Sequence, residues 1–416
     1  MSTIYATYFI ESSQDIAKVA EVIAGEQSSG TFVTLPYESE ALKRRSRAVV
    51  EQIDIIGEVN QPSLPIARQK VSSRYQQAVI KLSWNIDNMG VSLPNILSTL
   101  MGNLFELSQC SALKLLDIEL PDEFADKYQG PAFGIEGTRA LSGVYERPLI
   151  GTIIKPSVGL NPAQTAQITK ELADADIDFI KDDELQADGP HCPFEKRVKA
   201  VMEVINDHAQ KSGKKIMYAF NITGDIDEMK FRHDIVKEHG GTCIMMSMHS
   251  VGLAAFVEIR KHAQLPIHAH RNGWGVYGRS PHIGVAYTAW QKIWRLAGAD
   301  HLHVNGIDNK FCEENESSIQ SAKSILTPLY DKKPYISMPV FSSGQSAVQV
   351  EKTYKAIHST DLIYAAGGGI MGHKSGIKSG VESLKQAWDA AMQGIPLEEY
   401  AKSHIALKEA LEVYKK

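Results

Sequence analysis

The sequence predicts an α/β chain: a C-terminal (β/α)8 (TIM) barrel preceded by an N-terminal α+β domain of the ferredoxin-like kind. Three observations carry this expectation. Between residues 151 and 393, eight short apolar runs alternate with eight amphipathic stretches, the pattern of a parallel sheet closed on itself. The chain has 416 residues, enough for a barrel of roughly 250 and one further domain. The segment before residue 125 lacks that period and mixes strands with helices.

In the N-terminal segment, residues 4–10 alternate and are rich in aromatic and β-branched side chains, so they read as a strand. Residues 14–24 follow with apolar positions at helical spacing. Residues 31–35, 48–56, 77–84 and 113–120 read as further strands, and 93–101 as a helix. The expected domains are 1–125 and 126–416. In the barrel, strands are expected at 151–155, 178–182, 216–221, 243–248, 267–270, 301–304, 335–341 and 362–366. Helices are expected at 162–175, 195–210, 226–238, 252–262, 282–297, 315–328, 347–357 and 379–393. A doubly wound open sheet is the alternative arrangement of the same elements.

Composition narrows the class. Hydrophobic residues make up 43% and charged residues 22%, as in soluble globular proteins. A net charge of -5 gives no reason to expect a nucleic-acid or membrane surface. The one basic run, Lys43-Arg44-Arg45-Ser46-Arg47, reads as a solvated helix end or loop. Cys110, Cys192, Cys243 and Cys312 lack CxxC spacing and fit reduced thiols. No basic stretch followed by an apolar core opens the chain, and no run is long enough to span a bilayer. The expectation is a cytoplasmic protein.

Active sites of such barrels lie at the C-terminal ends of the strands. There this sequence places Lys155, then Lys181, Asp182, Asp183 and Glu184, then Asn221. Further on come His268, His270 and Arg271, then His301 and His303 with Lys310 beyond, then Ser342, Ser343 and Gly344, and finally Gly367, Gly368 and Gly369. Singly, each has an ordinary reading: a core histidine, a turn glycine. Together they mark a site. Asp183 and Glu184 are hard oxygen donors suited to Mg2+. The glycines, with Ser342 and Gly344, suit a phosphate approached by backbone N–H groups. Arg271 and His303 could hold a second anionic group. Lys155 and Lys310 are candidates for proton transfer or for stabilising an enolate. Lys181 within an acidic cluster either balances charge or is modified into an oxygen donor.

The chain resembles the large subunit of ribulose-bisphosphate carboxylase (RuBisCO), and more closely the RuBisCO-like proteins, over nearly its whole length. The motifs are Glu26-Gln27-Ser28-Ser29-Gly30-Thr31, Gly102-Asn103, Gly151-Thr152-Ile153-Ile154-Lys155-Pro156, Phe179-Ile180-Lys181-Asp182-Asp183-Glu184, His268-Ala269-His270-Arg271, Asp300-His301-Leu302-His303 and Gly367-Gly368-Gly369. The resemblance implies that Lys181 is carbamylated by CO2 and binds Mg2+ together with Asp183 and Glu184. It implies an acid/base role for Lys155, a catalytic role for His270 and a mobile-loop role for Lys310. Thr31, Gly344, Gly367 and Gly368 match one phosphate site, and Arg271 and His303 match the other. Glu26 and Asn103 match residues that reach the site from a partner subunit, which implies a homodimer.

The departures narrow the reaction. Ser157 replaces a second lysine, Trp274 replaces a histidine, Ser343 stands where a glycine is usual, and the lid reads Gly306-Ile307-Asp308-Asn309-Lys310-Phe311. A bulkier, less cationic pocket is expected, which argues against ribulose-bisphosphate carboxylation. The methionine-salvage enolase branch has a lysine where Asn103 stands, and the methylthioribulose-phosphate isomerase branch keeps the lysine that Ser157 replaces. The remaining branch decarboxylates or cleaves a branched oxo sugar acid, 3-oxo-isoapionate 4-phosphate. A catalytically idle binding protein is the reading from another class; the retained Lys155, Lys181, Asp183, Glu184 and Lys310 count against it.

Overall fold

The computed structural model describes residues 2–30, 35–65, 72 and 74–415. The expected strand at 31–35 falls, but for Leu35, outside the described residues, as does Thr31. The chain forms two compact units, one of residues 1–128 and 273–296, the other of 129–272 and 297–416.

In the first unit, β1 (Thr3–Ser12) lies antiparallel between β3 (Tyr75–Asn85) and β4 (Ala112–Glu119), and β2 (Val49–Val59) pairs with β3. The order β4-β1-β3-β2, with helices Ile16–Glu26 and Leu93–Met101 between strands, is the ferredoxin-like arrangement. Alternation sets the buried face: Ile4, Ala6, Tyr8 and Ile10 are fully or nearly fully buried. Asp15 caps the first helix, accepting from the Lys18 N–H at 3.0 Å.

A fifth strand, β10 (Ile283–Val285), pairs parallel with β4. Residues 282–285 had been expected to begin a helix, and that helix runs Tyr287–Ala297 instead. Pairing across the sheet overrides a periodic pattern that three residues are too few to contradict. This pairing is also why 273–296 packs with the first unit rather than with the continuous 126–416 expected.

The second unit is a closed barrel of β5 (Leu149–Ile153), β6 (Phe179–Lys181), β7 (Met217–Asn221), β8 (Cys243–Ser247), β9 (Ile267–His270), β11 (His301–His303), β12 (Met338–Phe341) and β13 (Ile363–Ala365). All neighbours are parallel, and β9 pairs with β11 across the β10 insertion. Closure excludes the open doubly wound sheet.

Strands buried on both faces read as near-continuous apolar runs, as in Cys243–Ser247, where every residue is buried. Alternate residues share the core: Leu149, Phe179, Met217, Ala219, Cys243, Met245, Val340 and Ile363 form one cluster. A Cβ on Gly151 would stand 3.0 Å from Phe179, so a small residue faces a large one there. Lys181 lies two residues beyond Phe179 and so on the same side of β6, one layer nearer the C-terminal rim. That geometry puts a lysine at the rim without breaking the core below it.

Candidate functional site

Lys181 ends β6, and Asp182, Asp183 and Glu184 follow it. Lys181 is 1% exposed; its Nζ donates to the Asp182 carbonyl at 2.9 Å and lies 3.6 Å from Glu184 Oε2. Burial pushes the Lys181 ammonium below its ordinary range, against the pull of Glu184, Asp183 and Asp182. Asp183 Oδ2 accepts from Lys155 Nζ at 2.7 Å, and Lys155 also donates to Ser157 Oγ at 2.9 Å. The serine that replaces a family lysine therefore holds the remaining one. Glu184 Oε2 lies 3.5 Å from His270 Nε2. Burial raises the Glu184 carboxyl, but His270 and Lys181 outweigh it and hold it below the usual carboxylate range.

Asp182 faces inward and plays a different part. It meets Arg197 at 3.2 Å, accepts from Tyr218 Oη at 2.7 Å and takes the Asn221 N–H at 2.9 Å. The Asn221 amide donates to the carbonyls of Asp183 and Glu184 at 3.3 and 3.2 Å. These contacts lock the backbone that aims Asp183 and Glu184. Only the chemistry of the cluster was legible in sequence; the division of labour within it was not, because Arg197 and Tyr218 come from other elements.

Among the described residues, the one His/Cys/Asp/Glu trio spaced to surround a metal is His233, Asp234 and His262, on helices outside the barrel. There His233 Nε2 accepts the Gln264 N–H at 3.0 Å, which commits Nδ1 to a proton shared with Asp234 at 2.9 Å. At the rim, Asp183 and Glu184 supply two oxygens, and the third nearby side chain is Lys181.

Below the rim, three buried histidines form a chain. Thr138 Oγ1 donates to the Gly134 carbonyl at 2.5 Å, so it accepts from His301 Nε2 at 2.8 Å. His301 Nδ1 is then an acceptor for His268 Nδ1–H at 3.4 Å, and His268 Nε2 accepts from His303 Nε2 at 2.7 Å. His303 Nδ1 in turn accepts from Ser342 Oγ at 3.1 Å. The network assigns each tautomer. Burial pushes all three imidazoles below their ordinary range, His301 to about 3, so the chain is neutral.

Arg271 forms an ion pair with Glu313, a residue to which no sequence pattern points. Glu313 also accepts from Asn305 Nδ2 at 2.6 Å and Ser317 Oγ at 2.8 Å. Ser343 takes φ 72°, the left-handed region that the usual glycine enters without strain. Its hydroxyl is anchored on Asn305 Oδ1 at 2.7 Å. The Lys310 N–H donates to the Ser343 carbonyl at 3.1 Å, which ties the lid lysine to the loop after β12. A Cβ on Gly368 would meet nothing within 4 Å, so the backbone there is open to approach. Gly367 begins the short helix Gly367–Met371.

Lys155, Lys181, Asp183, Glu184 and His270 are thus linked in one set, and Arg271, His303, Ser342 and Lys310 in neighbouring ones; a Cβ on Gly344 would lie 3.5 Å from Lys310 Cβ. Glu26 and Asn103 lie in the first unit, where Gln27 joins them: turned to satisfy both groups, its amide bonds Thr99 O at 3.1 Å and Asn103 N at 3.3 Å. Trp274 is buried against Tyr287 (ring centroids 5.0 Å apart), with Tyr277 and Trp290 stacked beyond. Its bulk is taken up by this aromatic cluster of the first unit.

Comparison with known proteins agrees with this architecture. Residues 134–414 match the ribulose bisphosphate carboxylase large chain catalytic domain, and residues 2–124 match its N-terminal domain. A 3-oxo-isoapionate-4-phosphate transcarboxylase/hydrolase of Xanthobacter autotrophicus is 57% identical over 98% of both chains. A 3-oxo-isoapionate-4-phosphate decarboxylase of Rhizobium rhizogenes is 41% identical over 97% of this chain and 96% of that one. The crystal structure of a rubisco-like protein from Burkholderia fungorum superposes with a TM-score of 0.94 at 41% identity, covering all of both chains. The barrel, the ferredoxin-like unit and these matches together show that the chain belongs to the ribulose bisphosphate carboxylase large-chain family, among its RuBisCO-like proteins.

Proposed function

We propose that the protein acts on 3-oxo-isoapionate 4-phosphate by breaking the bond between its carboxylate and the neighbouring carbon. The observation that carries this reading is Lys155 Nζ at 2.7 Å from Asp183 Oδ2. A proton-bearing lysine there stands directly against an oxygen suited to a metal. The names of the relatives at 57% and 41% identity support the substrate.

Mg2+ fits the rim. Asp183 and Glu184 supply hard oxygens, and a carbamate on Lys181 would supply the third. The enclosed Lys181 amine, 1% exposed and 3.6 Å from Glu184, suits such a modification: an ammonium in that place cannot ligate, whereas a carbamate can. Held there, Mg2+ would supply Lewis-acid polarisation of the substrate's oxo group. Lys155 holds a proton for the carbon that loses the carboxylate, and Ser157 and Asp183 fix its head. His270, beside Glu184, shuttles protons at the same carbon. Lys310, on the lid, covers the departing carboxylate. The substrate phosphate sits on the backbone of Ser342, Gly344, Gly367 and Gly368. Arg271 and His303 face the opposite end of the substrate. Glu26 and Asn103 complete the site from a partner subunit in a cytoplasmic homodimer.

The carboxyl then either leaves as CO2 or is transferred within the substrate before water cleaves the product. Identity of 57% against 41% favours transfer and hydrolysis. Incubation with 3-oxo-isoapionate 4-phosphate and Mg2+ is expected to consume the substrate. Turnover of a methylthio-sugar phosphate instead, with the oxo acid untouched, contradicts the reading.

A further inference from the structure

We infer that Glu313 is a specificity residue: by neutralising Arg271 it makes that end of the mouth a seat for an uncharged group, so that a second phosphate on the substrate adds little affinity. This rests on the reading of the mouth as a sugar-phosphate site.

Two independent observations carry it. The first is the ion pair of Arg271 with Glu313, whose side chains are 6% and 14% exposed. Glu313 is not a loose counterion. Asn305 Nδ2 at 2.6 Å and Ser317 Oγ at 2.8 Å hold its two oxygens, and Ser343 Oγ holds Asn305 in turn at 2.7 Å. A phosphate drawn to Arg271 would meet this fixed carboxylate. Opposite charges close together and shielded from water leave little net field for a second anion, and a like charge beside it repels.

The second is the state of His303. Its Nε2–H is given to His268 at 2.7 Å, and its Nδ1 accepts from Ser342 Oγ at 3.1 Å. It is neutral, and both ring nitrogens are engaged. A phosphate at this place would find neither an imidazolium nor a spare imidazole N–H. A hydroxyl or hydroxymethyl group carries no such requirement.

The test uses the full-length protein with Mg2+, titrated calorimetrically with ribulose 5-phosphate and ribulose 1,5-bisphosphate. The wild type is expected to bind the bisphosphate no more than about threefold tighter than the monophosphate. Glu313→Gln, which keeps an oxygen to accept from Asn305 Nδ2 and turns an N–H toward the Ser317 hydroxyl, is expected to tighten the bisphosphate by about tenfold and leave the monophosphate within about threefold. Glu313→Ala should show the same selectivity change, and adding Arg271→Gln to Glu313→Gln should erase it. Thermal melting checks that each variant is folded. A wild type that prefers the bisphosphate by more than about threefold, or a Glu313→Gln change that moves both ligands equally, overturns the inference while leaving the phosphate site standing. Binding of neither ligand by any variant overturns both.

Discussion

Lys181 and Asp182 are adjacent, yet their side chains have different surroundings. Lys181, itself buried, lies beside Glu184, whereas Asp182 packs onto Arg197, Tyr218 and Asn221. Lys181→Ala is expected to abolish Mg2+-dependent turnover with the far-ultraviolet circular dichroism unchanged; full activity would remove Lys181 from the metal site. Asp182→Asn should instead act through stability. Arg197 is 0% exposed and Asp182 1%, and breaking a buried pair costs about 3–5 kcal/mol. Urea denaturation should show that loss, and an unchanged midpoint would deny Asp182 its anchoring role. From sequence, Asp182 could be placed in the cluster but not turned away from it. Glu313 could not be found at all, because an acid in a loop carries no period.

Among the elements, the loop from β11 to helix Asn315–Leu326 matters most, since it carries Lys310. Its base is tightly fitted: a Cβ on Gly306 would fall 2.0 Å from Gln345 Cδ. Gln345 cannot readily give way, because it donates to the Ile307 carbonyl at 3.1 Å and accepts from Tyr364 Oη at 3.2 Å. Gly306→Ala is therefore expected to displace the lid, changing kcat and KM together by about tenfold or more, with melting little altered. Steady-state kinetics with unchanged constants would show that the lid base tolerates a side chain. Element positions were largely legible in sequence: helix Leu93–Met101 and strand β9 run as expected, and the other barrel strands overlap the expected spans. β10 was not legible, because its three residues take their conformation from β4 rather than from local pattern.

For the molecule as a whole, the buried neutral histidines make stability depend on pH. Burial holds His268, His301 and His303 below their ordinary range in the folded state, while the unfolded chain takes up protons below about pH 6.5. The unfolded state then binds more protons than the folded one, so stability is full above that pH and is lost as pH falls. The slope is up to ~1.4 kcal/mol per pH unit for each histidine. Below about pH 4, Asp178 adds to it: burial raises its carboxyl, but Arg147 and Lys214 hold it below the ordinary range, and protonation breaks both pairs. Urea unfolding at pH 7 and pH 5 should show a clearly lower midpoint at pH 5; equal midpoints would show that the histidine chain is protonated in the native state.

The central claim, that the bond to the carboxylate breaks at the Lys155–Asp183 rim, is tested most directly with 3-oxo-isoapionate 4-phosphate carrying carbon-13 in its carboxyl group. Carbon-13 magnetic resonance should show the labelled carboxyl carbon parted from the carbon that bore it, as CO2 or as the carboxylate of a new product, in the wild type and not in Lys181→Ala. Products that all retain the label on its original carbon would contradict it.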